Sequence, residues 1–529
     1  MKQYPCPKCG RPMVRNGHTP GGRQRWTCGI WQNKKLQFCY STTRPELGRV
    51  RRQDGAVRKQ RKPPVFKRAL GKGVRRFIVT AAQNATPVHK GFFAALNRLA
   101  RANGAELLVI PLRYKNPTSR WTESQANEET WAPEVAPYLV STRIRLNRNL
   151  IVLGDIKTQP TAVSPLTGFE GITHGESGIL GHTKLQLRTI PTPQHRLPKI
   201  LTTTGAVTVP NYTDSRAGKL GEFHHTLGAA LVELDGRRFH LRQLNAEPDG
   251  SFYDLNMHYK ATGASKSEHV AGLTMGDTHC DFIDPRVERA TFGEGGIIDL
   301  LRPKTLVWHD LLDGYSVNPH HNGNAFIAVA KTLAQRANVR EEIERAAEFV
   351  RRHTREGTNS VIVPSNHNDF VARWVLATDW RQVPGNAKFY LETALAMLAE
   401  TRLTGSGTEY PDPTAYWLRR LLSDCPGVTV LDRGASYLVA GVENALHGDM
   451  GPHGARGSIR NLRRIGVRVN IGHGHSPGID EGAYQGGTST RLTLEYNRGS
   501  PSGWLNTHIV TYPNGKRSLI NIIDGRYRL

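Results

Sequence analysis

Long apolar runs are missing from this chain of 529 residues. No stretch of about 18 apolar residues occurs, which argues against a membrane-spanning helix. The N-terminus also lacks the apolar h-region of a secretory signal, so a cytoplasmic location is expected. Acidic residues are scarce: 45 Asp+Glu face 71 Lys+Arg, for a formal net charge of +26 and a pI near 10.0. Chemistry on a small ester needs no such imbalance. A positive surplus of this size gathers polyanions and speeds their encounter, so nucleic acid is the expected partner, DNA before RNA. Cysteine is rare as well, and four of the six fall within the first 39 residues.

Those four have metal-ligand spacing. Cys6-Pro7-Lys8-Cys9-Gly10 reads as a zinc knuckle, and Cys28 and Cys39 would complete a Cys₄ set in a small ribbon, with His18 as a fallback ligand. A redox pair or free thiols are the rival readings. The wide gap between Cys28 and Cys39 departs from the close second pair of a regular ribbon. After the ribbon (1–45), residues 46–76 are dense in Arg and Lys, as in Arg58-Lys59-Gln60-Arg61-Lys62. Such a stretch cannot bury a core and reads as a basic linker or nucleic-acid-contacting arm.

The remaining length suits two larger domains. Residues 77–262 open with a strand at 76–82, a helix from His89 to Ala102 spaced by Phe92, Phe93, Leu96 and Leu99, and a strand at 106–112. This accessory α/β domain carries no recognised catalytic motif; substrate positioning or self-association is its expected role. Residues 263–529 carry the polar blocks. Two amphipathic helices are expected near 325–336 and 339–353, and strands at 491–496, 507–512 and 518–523.

Five blocks of Asp, Asn and His in small-residue settings run from 276 to 475: Gly276-Asp277-Thr278-His279, His309-Asp310-Leu311-Leu312-Asp313-Gly314, Ser365-Asn366-His367-Asn368, Leu446-His447-Gly448-Asp449 and Gly472-His473-Gly474-His475. They supply O and N ligands enough for two ions. The lead-ins 270–275, 305–308 and 361–364 read as short buried strands that deliver a polar residue at the C-terminal end, where sites of layered α/β folds commonly lie.

Taken in order, Asp-x-His, Asp-x-x-Asp, Asn-His, a lone His and Gly-His-x-His, the blocks resemble the calcineurin-like metallophosphoesterase superfamily. The resemblance implies a four-layer α/β/β/α sandwich, preceded here by the ribbon and the accessory domain. It implies that Asp277, His279 and His475 bind one metal, that Asp310 bridges, and that Asn366, His447 and His473 hold the second. His367 matches the family's proton donor. Mn²⁺ is the first choice of metal, with Mg²⁺, Fe²⁺ or Zn²⁺ as alternatives. Departures occur at His309, where the family has Gly, at Gly314, where an Arg often stands, and at Asn368, where an acidic residue often orients the imidazole. Asp369 would have to take that part, and Asp313 is given a supporting role.

Ribbon, basic arm and metal blocks together resemble phage-encoded nucleases of the A1 type. The implied activity is metal-dependent hydrolysis of DNA phosphodiester bonds, in the host cytoplasm. The alternatives are a phosphomonoesterase or cyclic-nucleotide phosphodiesterase, or a nucleic-acid-binding protein without catalysis.

Overall fold

The computed structural model describes residues 4–6, 9–19, 22–32, 35–42, 64–112 and 130–529. The basic linker therefore lies outside the described residues up to position 63. The chain divides into two compact units, Met1–Pro63 and Pro64–Leu529.

In the first unit three antiparallel strands, Val14–His18, Gln24–Gln32 and Lys35–Thr42, form one sheet. Among the described residues Cys6, Met13 and Cys28 form a buried apolar cluster, with Trp26 packed against it. Units this small ordinarily gain stability from a metal or cross-link.

The second unit is mixed α/β. The helix Lys90–Asn103 buries Phe92, Leu96 and Leu99, the 3.6-residue stripe read from the sequence, and His89 caps it by accepting from the Phe92 amide at 3.1 Å. Its flanking strands, Arg76–Gln83 and Glu106–Leu112, pair in parallel, and the hairpin Gly228–Asp235 and Arg238–Asn245 completes a four-stranded sheet.

A ten-stranded sheet draws strands from both halves of the unit. Gln186–Ile190 pairs with Gly478–Asp480, so segments on either side of residue 262 share one ladder. A six-stranded sheet holds four parallel strands, Gly272–Thr274, Thr305–Trp308, Asn359–Ile362 and Val428–Val430, edged by the antiparallel pair Asn506–Thr511 and Arg517–Ile522. Leu187, Ile479 and Tyr484 of the larger sheet share a core with Ile509 and Leu519 of the smaller. Helices Pro285–Phe292 and Val339–His353 contribute to another core with Leu306 and Trp308.

Two expectations need correction. Residues 491–496 form no strand: the Asn497 side chain accepts from the Leu494 amide at 2.8 Å and donates to the Leu492 carbonyl at 3.1 Å, which ties the backbone into an irregular loop. The helix Ala325–Leu333 is turned inside out. Its buried residue is Lys331, whose ammonium reaches the Ser316 carbonyl, while Phe326 and Leu333 face outward.

Two buried histidines make stability depend on pH. The Lys184 amide donates to His182 Nδ1 at 2.9 Å, and the Gly276 amide donates to His508 Nδ1 at 3.0 Å. Each ring must keep that nitrogen bare, hence stay neutral. Burial holds His182 down to about 4 and His508 down to about 3. Because both folded values lie below the ordinary one, their stabilisation is complete above about pH 6.5 and is lost as pH falls toward 4 and below. At 1.36 kcal/mol per pH unit, His182 alone accounts for roughly 3 kcal/mol. Urea unfolding is expected to shift to lower denaturant between about pH 7 and about pH 5; equal midpoints would contradict this account.

Candidate metal centre

The parallel strands deliver the blocks. Asp277 and His279 follow Gly272–Thr274, His309 and Asp310 follow Thr305–Trp308, and Asn366 and His367 follow Asn359–Ile362. From the larger sheet, Val442–Glu443 leads to His447 and Val469–Ile471 to His473 and His475. His279, Asp310, His473 and His475 have φ of 39°, 41°, 66° and 50°. Side chains rarely sit in that left-handed region, at about 1 to 3 kcal/mol each, and such strain clusters at functional sites. Gly472 is required by close approach: a Cβ there would lie 2.1 Å from Asp277 Oδ1.

Seven of the residues singled out in the sequence come together. His475 Nε2 is 3.2 Å from both Asp277 Oδ2 and His279 Nε2. Asp310 Oδ2 lies 3.6 Å from His279 Nε2 and 3.1 Å from His447 Nε2. His473 Nδ1 is 3.1 Å from Asn366 Oδ1. Three groups have ligand atoms close enough to hold a metal ion: His279, Asp310 and His475; Asp277, Asp310 and His447; and His279, Asp313 and His367.

Polar atoms there are buried and short of hydrogen bonds. Among the described residues both Asp277 oxygens, Asp310 Oδ1 and His447 Nε2 have no hydrogen-bond partner, although His447 Nε2 and Asp277 Oδ2 still face an opposite charge. Buried groups are normally satisfied, so a cluster of such atoms, with two imidazole nitrogens aimed at each other, fits a cation between them.

The electrostatics agree. Burial would raise the Asp310 carboxyl, but His447, His367 and His279 outweigh it and hold it well below the usual range. Burial would lower His279, yet Asp313, Asp310 and Asp277 push it up to about 9. His447 is raised against burial by Asp310 and Asp277. The carboxylates thus favour positive charge at this spot, whether carried by protons or by metal.

Two of the three positions flagged as departures, His309 and Asn368, find their place in the structure. His309 is fully buried with Nδ1 3.4 Å from His447 Nδ1, so it backs that imidazole, and burial followed by the neighbouring His447 lowers it to about 4. Asp369 does not orient His367; it faces Arg433. Asp313 takes that part instead. Its carbonyl accepts from His367 Nδ1 at 2.5 Å, and its carboxylate meets His279 Nδ1 at 3.0 Å, fixing both rings. Asn368 is turned away, bonded to Ser365 and Asp412. His320 and His321 belong to none of the metal-capable groups among the described residues.

Two aromatic residues beside the centre escaped the sequence reading. Trp504 stands edge-on to His475 at 4.3 Å between ring centroids, and the Tyr496 hydroxyl is 3.5 Å from His475 Nδ1. The signal was present in Asn497-Arg498-Gly499-Ser500-Pro501, a turn-forming string that argues against a strand through Tyr496.

In the N-terminal unit Cys6, Cys9 and Cys28 form a fourth metal-capable group, their sulfurs within 4.8 Å of one another. The knuckle turn is closed by the Gly10 amide on the Cys6 carbonyl at 2.8 Å. Cys39 lies in the strand opposite: Cys28 pairs with Tyr40 and Gly29 with Phe38, so Cys39 is the extra residue of a bulge. Its side chain lies outside the described residues.

Fold and site define a mixed α/β protein with buried Asp/His clusters able to bind metal ions at strand ends, and a cysteine cluster in a separate small unit. The chain is 31% identical to Protein A1 of Escherichia phage T5 over 468 residues, covering 86% of this chain and 83% of that protein. It belongs to the family of that phage protein. No family model matches the chain. Among solved structures, Chaetomium thermophilum Vps29 is similar over 37% of this chain and 97% of its own, at 9% identity and a TM-score of 0.20, below the level of a shared fold. Among the described residues no helix is long and apolar enough to cross a membrane.

Proposed function

We propose that this chain is a phage-encoded, metal-dependent nuclease that hydrolyses DNA phosphodiester bonds at a dinuclear centre within a metallophosphoesterase-type four-layer sandwich. The observation that carries the reading is Asp310: its carboxylate belongs to two of the metal-capable groups at once, as a bridging ligand must. Asp277, His279 and His475 would hold one ion and Asn366, His447 and His473 the other. Two divalent ions held there, Mn²⁺ first, would supply the charge that activates a water and neutralises the phosphoryl oxygens. His367, oriented by its Nδ1–H on the Asp313 carbonyl, would as the imidazolium give its Nε2 proton to the departing alkoxide. Asp313 steadies His279 from behind. The +26 charge supports a polyanionic substrate, and a structural zinc on Cys6, Cys9, Cys28 and Cys39 would stabilise the N-terminal ribbon.

Cleavage of linear, circular and single-stranded DNA should require divalent metal and stop on chelation. Turnover of a small phosphomonoester with no cleavage of any DNA would overturn the reading.

A further inference from the structure

Tyr496 is 65% exposed although its hydroxyl touches a histidine of the buried centre. Its ring meets Trp504 edge-on at 5.4 Å, and Trp504 in turn meets His475 edge-on. One edge of the Tyr496 ring is therefore anchored at the centre while most of the side chain is open to solvent. The loop beneath is held in place. Asn497 ties it internally, the Asn497 carbonyl accepts from Gln194 Nε2 at 2.8 Å, and the Gly499 amide donates to Gln194 Oε1 at 3.3 Å. The same loop carries two exposed cations, Arg491 and Arg498, neither in a salt bridge among the described residues, although Arg491 is among the cations that hold the Asp284 carboxyl down. The one carboxylate of the loop, Glu495, accepts from the Tyr315 hydroxyl at 3.2 Å.

A solvent-facing ring beside the metal-capable centre, in a held loop that also carries two exposed guanidinium groups, is a combination suited to single strands: the ring takes a base face and cations take phosphates. We propose that Tyr496 is a stacking platform for an unpaired nucleobase next to the cleaved phosphate, which directs the centre toward single-stranded or frayed nucleic acid. This rests on the nuclease reading above. Stacking on an aromatic side chain is worth about 1 to 3 kcal/mol per base, or roughly 5- to 150-fold in affinity. A base inside a duplex is already stacked, and withdrawing it costs a few kcal/mol, so intact duplex is the poorer ligand.

The test compares a short single strand with a second strand that is abasic at the nucleotide beside the cleaved bond. Wild type, Tyr496→Leu and Tyr496→Phe are measured for KM and kcat, and for affinity by fluorescence anisotropy. Wild type should favour the base-containing strand by about 10-fold in KM and in affinity; Tyr496→Leu should erase that preference and Tyr496→Phe keep it. No preference in wild type, or a preference that survives Tyr496→Leu, overturns the platform. Equal loss in Tyr496→Phe also overturns it, because the hydroxyl on His475 would then be what matters. If wild type cleaves neither strand nor any other DNA, the nuclease reading fails, and the anisotropy series still decides whether Tyr496 stacks a base.

Discussion

Asp310→Asn should abolish metal-dependent cleavage, with a loss on the order of 10³ or more, while the fold survives. Asparagine is the informative replacement. It keeps the side-chain volume and, unlike most residues, tolerates the left-handed backbone found here at φ 41°, so backbone strain does not confuse the result. What it removes is the charge. The Asp310 carboxylate faces His447 at 3.1 Å and His279 at 3.6 Å, and it is the carboxylate shared by the groups His279–Asp310–His475 and Asp277–Asp310–His447. A neutral amide cannot span two cations, so metal analysis should show fewer ions bound per chain. Thermal unfolding and circular dichroism report whether the fold is intact. Full cleavage activity in Asp310→Asn would refute a bridged centre.

His367→Ala should separate binding from chemistry. Metal content and DNA affinity are expected to remain, whereas turnover should fall by about 10² to 10⁴, the usual contribution of a positioned general acid. The helix Asn368–Ala377 begins at this residue but receives no side-chain cap from it, so truncation removes no helix hydrogen bond. Structure supplies the competing outcome. His367 also forms a metal-capable group with His279 and Asp313. Loss of bound metal in His367→Ala would make it a ligand and would reassign the proton donor.

Much of this protein was legible along the chain because the signals are local. The helix Lys90–Asn103 follows from a 3.6-residue apolar stripe, and the short strands ahead of the polar blocks follow from small apolar runs broken by turn-forming residues. The identities of Asp277, His279, Asp310, Asn366, His367, His447, His473 and His475 were readable from their order and small-residue settings. So was the N-terminal cysteine cluster, with Cys39 the exception whose side chain lies outside the described residues.

Other features depended on contacts between residues far apart in sequence. That His367 is oriented by the Asp313 carbonyl rather than by Asp369 depends on how two loops, 54 residues apart, meet above parallel strands. That residues 143–203 and 438–485 share one sheet depends on the pairing of Gln186–Ile190 with Gly478–Asp480, which no local periodicity encodes. Tyr496 shows the same limit. Its segment alternates as a strand would, yet long-range contacts such as those of Asn497 with Gln194 hold it in a loop against His475. The sequence by itself determined which chemical groups this protein possesses and which elements carry them. Tertiary structure decided which of those groups face one another, because side-chain distances across sheets are set by strand register and by left-handed backbone at four site residues.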